Sequence, residues 1–163
     1  MAQAGYSVGI DLGTTYSAAA IARDDRVEMF SLEHAGVATP SVVWVGPDGG
    51  VLIGAGAARK TAVEPERGAR LFKRRFGDDV PMYLGGVPYS PEELTRLLRA
   101  DIVERVSSQE GGPPERAVLT HPAAWGGFRL ELLESAARAT DLRDVPLVPA
   151  PVAAAVDYAG RER

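Results

Sequence analysis

At 163 residues, 45% apolar and 25% charged, the chain has the composition of a soluble globular domain long enough to bury a substantial core. A net charge of −4 disfavours a general role at nucleic acid or at an anionic membrane surface. The absence of cysteine excludes disulfides, thiolate metal sites and cysteine nucleophiles.

Met1 to Gly5 has neither a basic n-region nor an apolar h-region, so no signal peptide is expected. No apolar run is long enough to span a bilayer, and the expected compartment is the cytoplasm. Tyr6–Ile10, Ser17–Ala22 and Arg26–Ser31 read as strands, the last two joined as a hairpin by Arg23-Asp24-Asp25-Arg26. Ser41–Val45 and Val51–Ile53 pair around the turn Gly46-Pro47-Asp48-Gly49-Gly50. Ala55 to Val63 is expected to be a short helix, and Glu66 to Phe76 a second one ended by Gly77. Asp78 to Tyr89, rich in Gly and Pro, reads as a loop.

Ser90-Pro91-Glu92-Glu93 is a helix start, with a serine cap, proline at the first helical position and glutamate completing a capping box. Leu94, Leu97, Leu98, Ile102 and Val106 continue at helical spacing. After the loop from Gln109 to Pro114, Arg116–Thr120 is a strand. Trp125, Phe128, Leu132, Leu133, Ala136 and Ala137 form the apolar stripe of a long helix. Leu147-Val148 is a short strand, and Pro151 opens a last helix stopping near Gly160. The order gives an α/β class with the βββαβα pattern of a ribonuclease-H-like half: a mixed sheet with flanking helices, parallel in its later strands. Residues 1–38 and 115–163 form its core, and a small α+β subdomain, residues 39–114, is inserted.

Ile10-Asp11-Leu12-Gly13-Thr14-Thr15-Tyr16-Ser17 carries the chemistry. It places a carboxylate at a strand end, then a glycine, then two adjacent hydroxyls. Asp11 can hold the hydration shell of Mg²⁺, which prefers oxygen ligands and keeps several waters. Gly13 lets the backbone approach a phosphate, and Thr14 and Thr15 can donate to its oxygens. The loop returns into a strand, and no G-x-x-x-x-G-K-[ST] occurs, so it is not a Walker loop. An ordinary hairpin turn is the bland reading of these residues.

Other patterns carry less. Gly5-Tyr6-Ser7-Val8-Gly9 fits G-x-S-x-G, but Ser7 lies within a strand and not at a strand-to-helix elbow. His34 and His121 lack metal-ligand spacing. Gly54-x-Gly56 lacks the third glycine of a dinucleotide fingerprint. Lys73, in a run with Arg67, Arg70, Arg74 and Arg75, reads by itself as part of a solvated basic helix face.

The eight residues Ile10 to Ser17 resemble the amino-terminal signature of the seventy-kilodalton heat-shock chaperones of the DnaK type, and all eight positions fit. Further similarities follow in order. Thr39-Pro40-Ser41 resembles that family's turn into the inserted subdomain, and Phe72-Lys73-Arg74 the segment with its catalytic lysine. Ala117 to Ala123 resembles the strand and proline before its interlobe helix, and Val148 to Tyr158 its Asn-Glu-Pro-Thr-Ala-Ala-Ala helix start. The resemblance covers nearly the whole chain, but only the first lobe of the family's actin-like ATPase domain.

The resemblance implies ATP or ADP with Mg²⁺ between two lobes. Lys73 and Asp11 are then the catalytic positions, with Asp11 meeting the metal through water. Gly13, Thr14, Thr15 and Tyr16 form the first phosphate loop, and Pro122 is the switch between nucleotide states. Ala150 departs from the family, which has a glutamate there that helps organise metal and water. The second departure is that the chain stops at Arg163. The implied partners are then a missing second lobe and peptide-binding domain, co-chaperones and unfolded peptides. No nucleic acid or membrane is expected. The lobe alone should bind ATP poorly and hydrolyse it negligibly, with an apolar sheet surface open to dimer contacts. Two other readings stand beside this one. A non-catalytic regulatory or scaffold protein is favoured by Ala150; a different actin-like ATPase, a sugar kinase or filament former, is disfavoured by the Tyr16-Ser17 and Lys73 contexts.

Overall fold

The computed structural model describes residues 5–138 and 145–161. Its main sheet is built from β1 (Ser7–Asp11), β2 (Tyr16–Arg23), β3 (Arg26–Phe30), β4 (Ala38–Pro40), β10 (Arg116–His121) and β11 (Leu147–Pro149). The spatial order is β11-β10-β1-β2-β3, with β4 also paired to β2. β1 is antiparallel to β2 and β2 to β3, whereas β1 runs parallel to β10 and β10 to β11. The mixed sheet with parallel later strands is the arrangement the element order predicts.

Alternation sets which face is packed. Val8, Ile10, Ala19, Ala117 and Leu119 are buried, in one cluster with Leu94, Leu98 and Ile102 of α2 (Pro91–Glu110) and Leu133 and Ala137 of α3 (Gly127–Arg138). The intervening Gly9, Ala18, Ala20 and Val118 are small and more open to solvent. Ser90 caps α2 by accepting the Glu93 N–H at 3.0 Å, and Gly111 ends it in the left-handed conformation.

Between β4 and α2 lie two smaller sheets. One is β5 (Val43–Val45) between β6 (Val51–Ile53) and β7 (Gly68–Ala69), backed by α1 (Ala55–Val63). The other is the hairpin β8 (Met82–Leu84) and β9 (Val87–Tyr89).

The structure corrects several expectations here. The segment from Glu66 to Phe76 is not one helix but a 3-10 turn at Pro65–Arg67, the two-residue strand β7 and a second 3-10 turn at Phe72–Arg75. Leu71 at φ 57° breaks any continuous helix, and Phe72 and Phe76 are both buried. Within the expected loop from Asp78 to Tyr89, Met82–Tyr89 is a hairpin, because Gly85 and Gly86 take φ of 60° and 86° and turn the strands back on each other. Thr39-Pro40 is strand, paired with Ser17 and Tyr16. Trp125 precedes α3 instead of lying in its stripe, and Phe128 is 65% exposed. The last helix, α4 (Ala150–Arg161), starts one residue earlier than Pro151.

Candidate functional site at the carboxyl edge of the parallel strands

Because β1, β10 and β11 are parallel, their carboxyl ends share one edge, the usual ligand side of an open α/β sheet. Asp11 ends β1, Thr120 and His121 end β10, and Ala150 follows β11. Thr120 Oγ1 donates to Asp11 Oδ1 at 2.7 Å, which fixes the carboxylate while leaving it exposed. Among the described residues no three His, Cys, Asp or Glu side chains cluster as a metal cage. A lone carboxylate suits a magnesium ion that keeps its waters.

The chain then turns tightly. A Cβ on Gly13 would lie 1.9 Å from the Tyr16 carbonyl oxygen, so only glycine fits the turn. Thr14 is half-buried, and Thr15 and Tyr16 are exposed. Ser41 holds the loop from behind: its Oγ donates to the Gly13 carbonyl at 2.8 Å and its N–H to the Thr15 carbonyl at 2.8 Å.

Lys73, on the second 3-10 turn, donates to the Leu12 carbonyl and so reaches the end of β1 across 61 positions of chain. Its Nζ also lies 5.6 Å from the centroid of the Trp125 ring, and Trp125 stacks on Phe76 at 4.8 Å and 12°. Burial pushes the Lys73 ammonium below the ordinary lysine range, and the Asp11 charge opposes that shift. Lys73 therefore lies against the end of β1 and not on a solvated helix face. Behind the turn, Glu92 of α2 accepts the Gly77 N–H at 2.5 Å.

Pro122 follows β10 directly; its carbonyl accepts from the Trp125 N–H at 3.1 Å and lies 3.0 Å from His121 Nδ1. Ala150 stands next to Pro149, which pairs with His121, and its methyl offers no metal or water ligand. The structure thus gathers Asp11, the Gly13–Tyr16 loop, Lys73, Pro122 and Ala150 around one edge. Thr120, Ser41, Trp125 and Glu92 were not singled out for roles here from sequence. Their contacts depend on parallel register and on long-range packing, and neither leaves a local pattern.

The sequence model of the family described as "Hsp70 protein" matches residues 7–84. "Chaperone protein DnaK" of Elusimicrobium minutum (strain Pei191) is 35% identical over 164 residues, covering 96% of this chain. The chain belongs to the Hsp70 family. DnaK of Thermotoga neapolitana is 31% identical over 163 residues and covers 97% of the chain; that of Thermosipho melanesiensis is 30% identical over 154 residues and covers 94%. The chain spans about a quarter of the length of these relatives, 26%, 27% and 26% in turn. Its mixed sheet and flanking helices are those of the actin-like ATPase lobe of the Hsp70 family. No helix among the described residues is long and apolar enough to cross a membrane.

Proposed function

We propose that this lobe supplies one half of a Mg²⁺–ATP site in a heat-shock-type chaperone ATPase. One observation carries the reading: Lys73, Asp11 and the glycine-hinged loop converge on one sheet edge from distant parts of the chain. Bound Mg²⁺–ATP would supply the phosphoryl group and its counter-charge. With Mg²⁺–ATP bound, Asp11, its carboxylate held by Thr120, would order the metal's waters, and Gly13, Thr14, Thr15 and Tyr16 would provide donors for phosphate oxygens. Lys73 would reach toward the γ-phosphate and the attacking water, and Pro122 would switch between nucleotide states. Phosphoryl transfer rests mainly on positioning and charge neutralisation, which this set provides. Each charge-assisted contact is worth roughly 1.5–3 kcal/mol.

The 163 residues alone hold one phosphate loop, so their own affinity for ATP is low and their turnover negligible. We assign residues 1–38 and 115–163 to the lobe core and 39–114 to an inserted subdomain; the small sheets β5–β6–β7 and β8–β9 lie wholly within the latter, while Thr39-Pro40 pairs with the main sheet and α2 packs into its core. Cytoplasmic location, co-chaperones and unfolded-peptide clients belong to the same proposal.

The test is Mg²⁺–ATP binding and single-turnover hydrolysis by the product of the complete reading frame, beside Asp11→Asn and Lys73→Met. Loss of hydrolysis in both variants supports the reading, and unchanged turnover overturns it. A second reading, a regulator or scaffold that keeps the lobe without turnover, is favoured by Ala150 alone. It predicts nucleotide binding with no hydrolysis in the unmodified protein.

A further inference from the structure

Three hydroxyls are buried directly behind the loop: Ser17 is 1% exposed, Thr39 0% and Ser41 2%. Ser41 Oγ has a single proton, and the Gly13 carbonyl takes it at 2.8 Å. The 2.8 Å contact between Ser17 and Ser41 must then run from Ser17 to Ser41. The result is a directed relay, Ser17 to Ser41 to Gly13, whose members polarise one another. The Ser41 N–H closes the other end of the loop on the Thr15 carbonyl.

A trans peptide points its carbonyl and its N–H in opposite directions. Pinning the Gly13 carbonyl against Ser41 therefore turns the Thr14 N–H away from Ser41, and pinning the Thr15 carbonyl does the same for Tyr16. The anchor itself is fixed. Thr39 donates to Glu33 Oε1 at 2.5 Å, Glu33 also accepts the Ala55 N–H at 3.1 Å, and Arg105 Nη1 lies 3.5 Å from the same oxygen.

We propose that Ser41 is a positioning residue that holds the Gly13–Thr15 loop with its N–H groups presented to phosphate. The inference rests on the phosphate-loop reading given above. Ser41 touches no phosphate; it acts through the loop's carbonyls.

The test titrates the ¹⁵N-labelled product of the complete reading frame with magnesium tripolyphosphate and follows the Thr14 and Tyr16 amide resonances. These are expected to shift in the unmodified protein. Ser41→Ala should bind about five-fold more weakly, the order expected from losing one neutral hydrogen bond. Ser41→Thr, which keeps the hydroxyl, should restore affinity. Thr95→Ala, which deletes a buried hydroxyl of α2 bonded to the Pro91 carbonyl, should lower thermal stability and leave affinity unchanged. Should Ser41→Ala not fold, Ser17→Ala removes the donor to Ser41 and should weaken binding about two-fold. Unshifted Thr14 and Tyr16 resonances in the unmodified complete protein overturn the phosphate-loop reading and this proposal with it. Shifts that persist in Ser41→Ala at unchanged affinity overturn the role of Ser41 alone.

Discussion

The ammonium of Lys73 donates to the carbonyl of Leu12, tying a 3-10 turn of the inserted segment to the strand end that carries Asp11. The bond gives a buried cation a partner, and it sets the lysine one residue from the Asp11 carboxylate. Removing the side chain has two opposing effects on stability. The cost of burying a charge disappears, and a carbonyl bond worth about 1.5–3 kcal/mol is lost.

Lys73→Met should therefore change the unfolding free energy by less than about 1 kcal/mol. Single-turnover hydrolysis by the complete protein should fall at least about 100-fold, the scale of losing one transition-state donor. Urea unfolding and quench-flow assays measure the two. A stability loss above about 3 kcal/mol would make Lys73 a structural strut.

Gly13→Ala should distort the loop, because the added Cβ would meet the Tyr16 backbone oxygen at 1.9 Å. Backbone on both sides leaves nothing free to rotate away. The expected cost is about 2 kcal/mol or more, with loss of phosphate-induced shifts at Thr14. Unchanged melting and binding would show that the turn relaxes freely.

Glu33 links acid stability to the strand that presents Ser41. Burial pushes its carboxyl up, but bonds from Thr39 and the Ala55 N–H, with the Arg105 charge, hold it below the ordinary glutamate range. A depressed folded value means that the native state binds fewer protons than the unfolded chain, so the stabilisation is present above the unfolded value of roughly 4.3. It is lost as pH falls through the lower folded value. Glu33→Gln should be less stable than the unmodified chain at pH 7, and the gap should close under acid. Denaturant unfolding from neutral to acid pH measures it; a gap that stays constant with pH means that the carboxylate charge is not its source. Burial raises the pKa of Asp101 against the pull of Arg105, and the Glu33 charge raises it further; Glu33→Gln removes that last contribution, so Asp101 is less strained at neutral pH in the variant and narrows the gap there.

Ala150→Glu should tighten Mg²⁺-dependent nucleotide binding and speed hydrolysis in the complete protein. Position 150 opens α4, where a carboxylate gains about 0.3–1 kcal/mol from the helix dipole, so the variant should fold well. A magnesium titration of ATP binding and turnover decides the matter. Unchanged turnover would show that Ala150 does not limit this site.

Much of the chain's local grammar is legible where turns, caps and periodicity decide structure, although the Gly85-Gly86 hairpin, also a short-range feature, reads as a loop. The Asp24-Asp25 hairpin, the Ser90 cap and the leucine spacing of α2 are fixed by turn geometry, capping and periodicity. The segment from Glu66 to Phe76 reads as a helix because Gly77 stands as a stop signal after it. Leu71 in the left-handed region and the pairing of Gly68 and Ala69 with β5 override that local preference.

By itself the sequence determined the α/β order, the Asp11 to Ser17 signature and the family resemblance it carries, because these reside in contiguous residues. Tertiary structure alone decided that Thr120 holds Asp11, that Lys73 rests on Leu12 and Trp125, and that Ser41 clamps the loop. Those contacts join residues dozens of positions apart, and they are set by strand register and core packing, which no local pattern encodes.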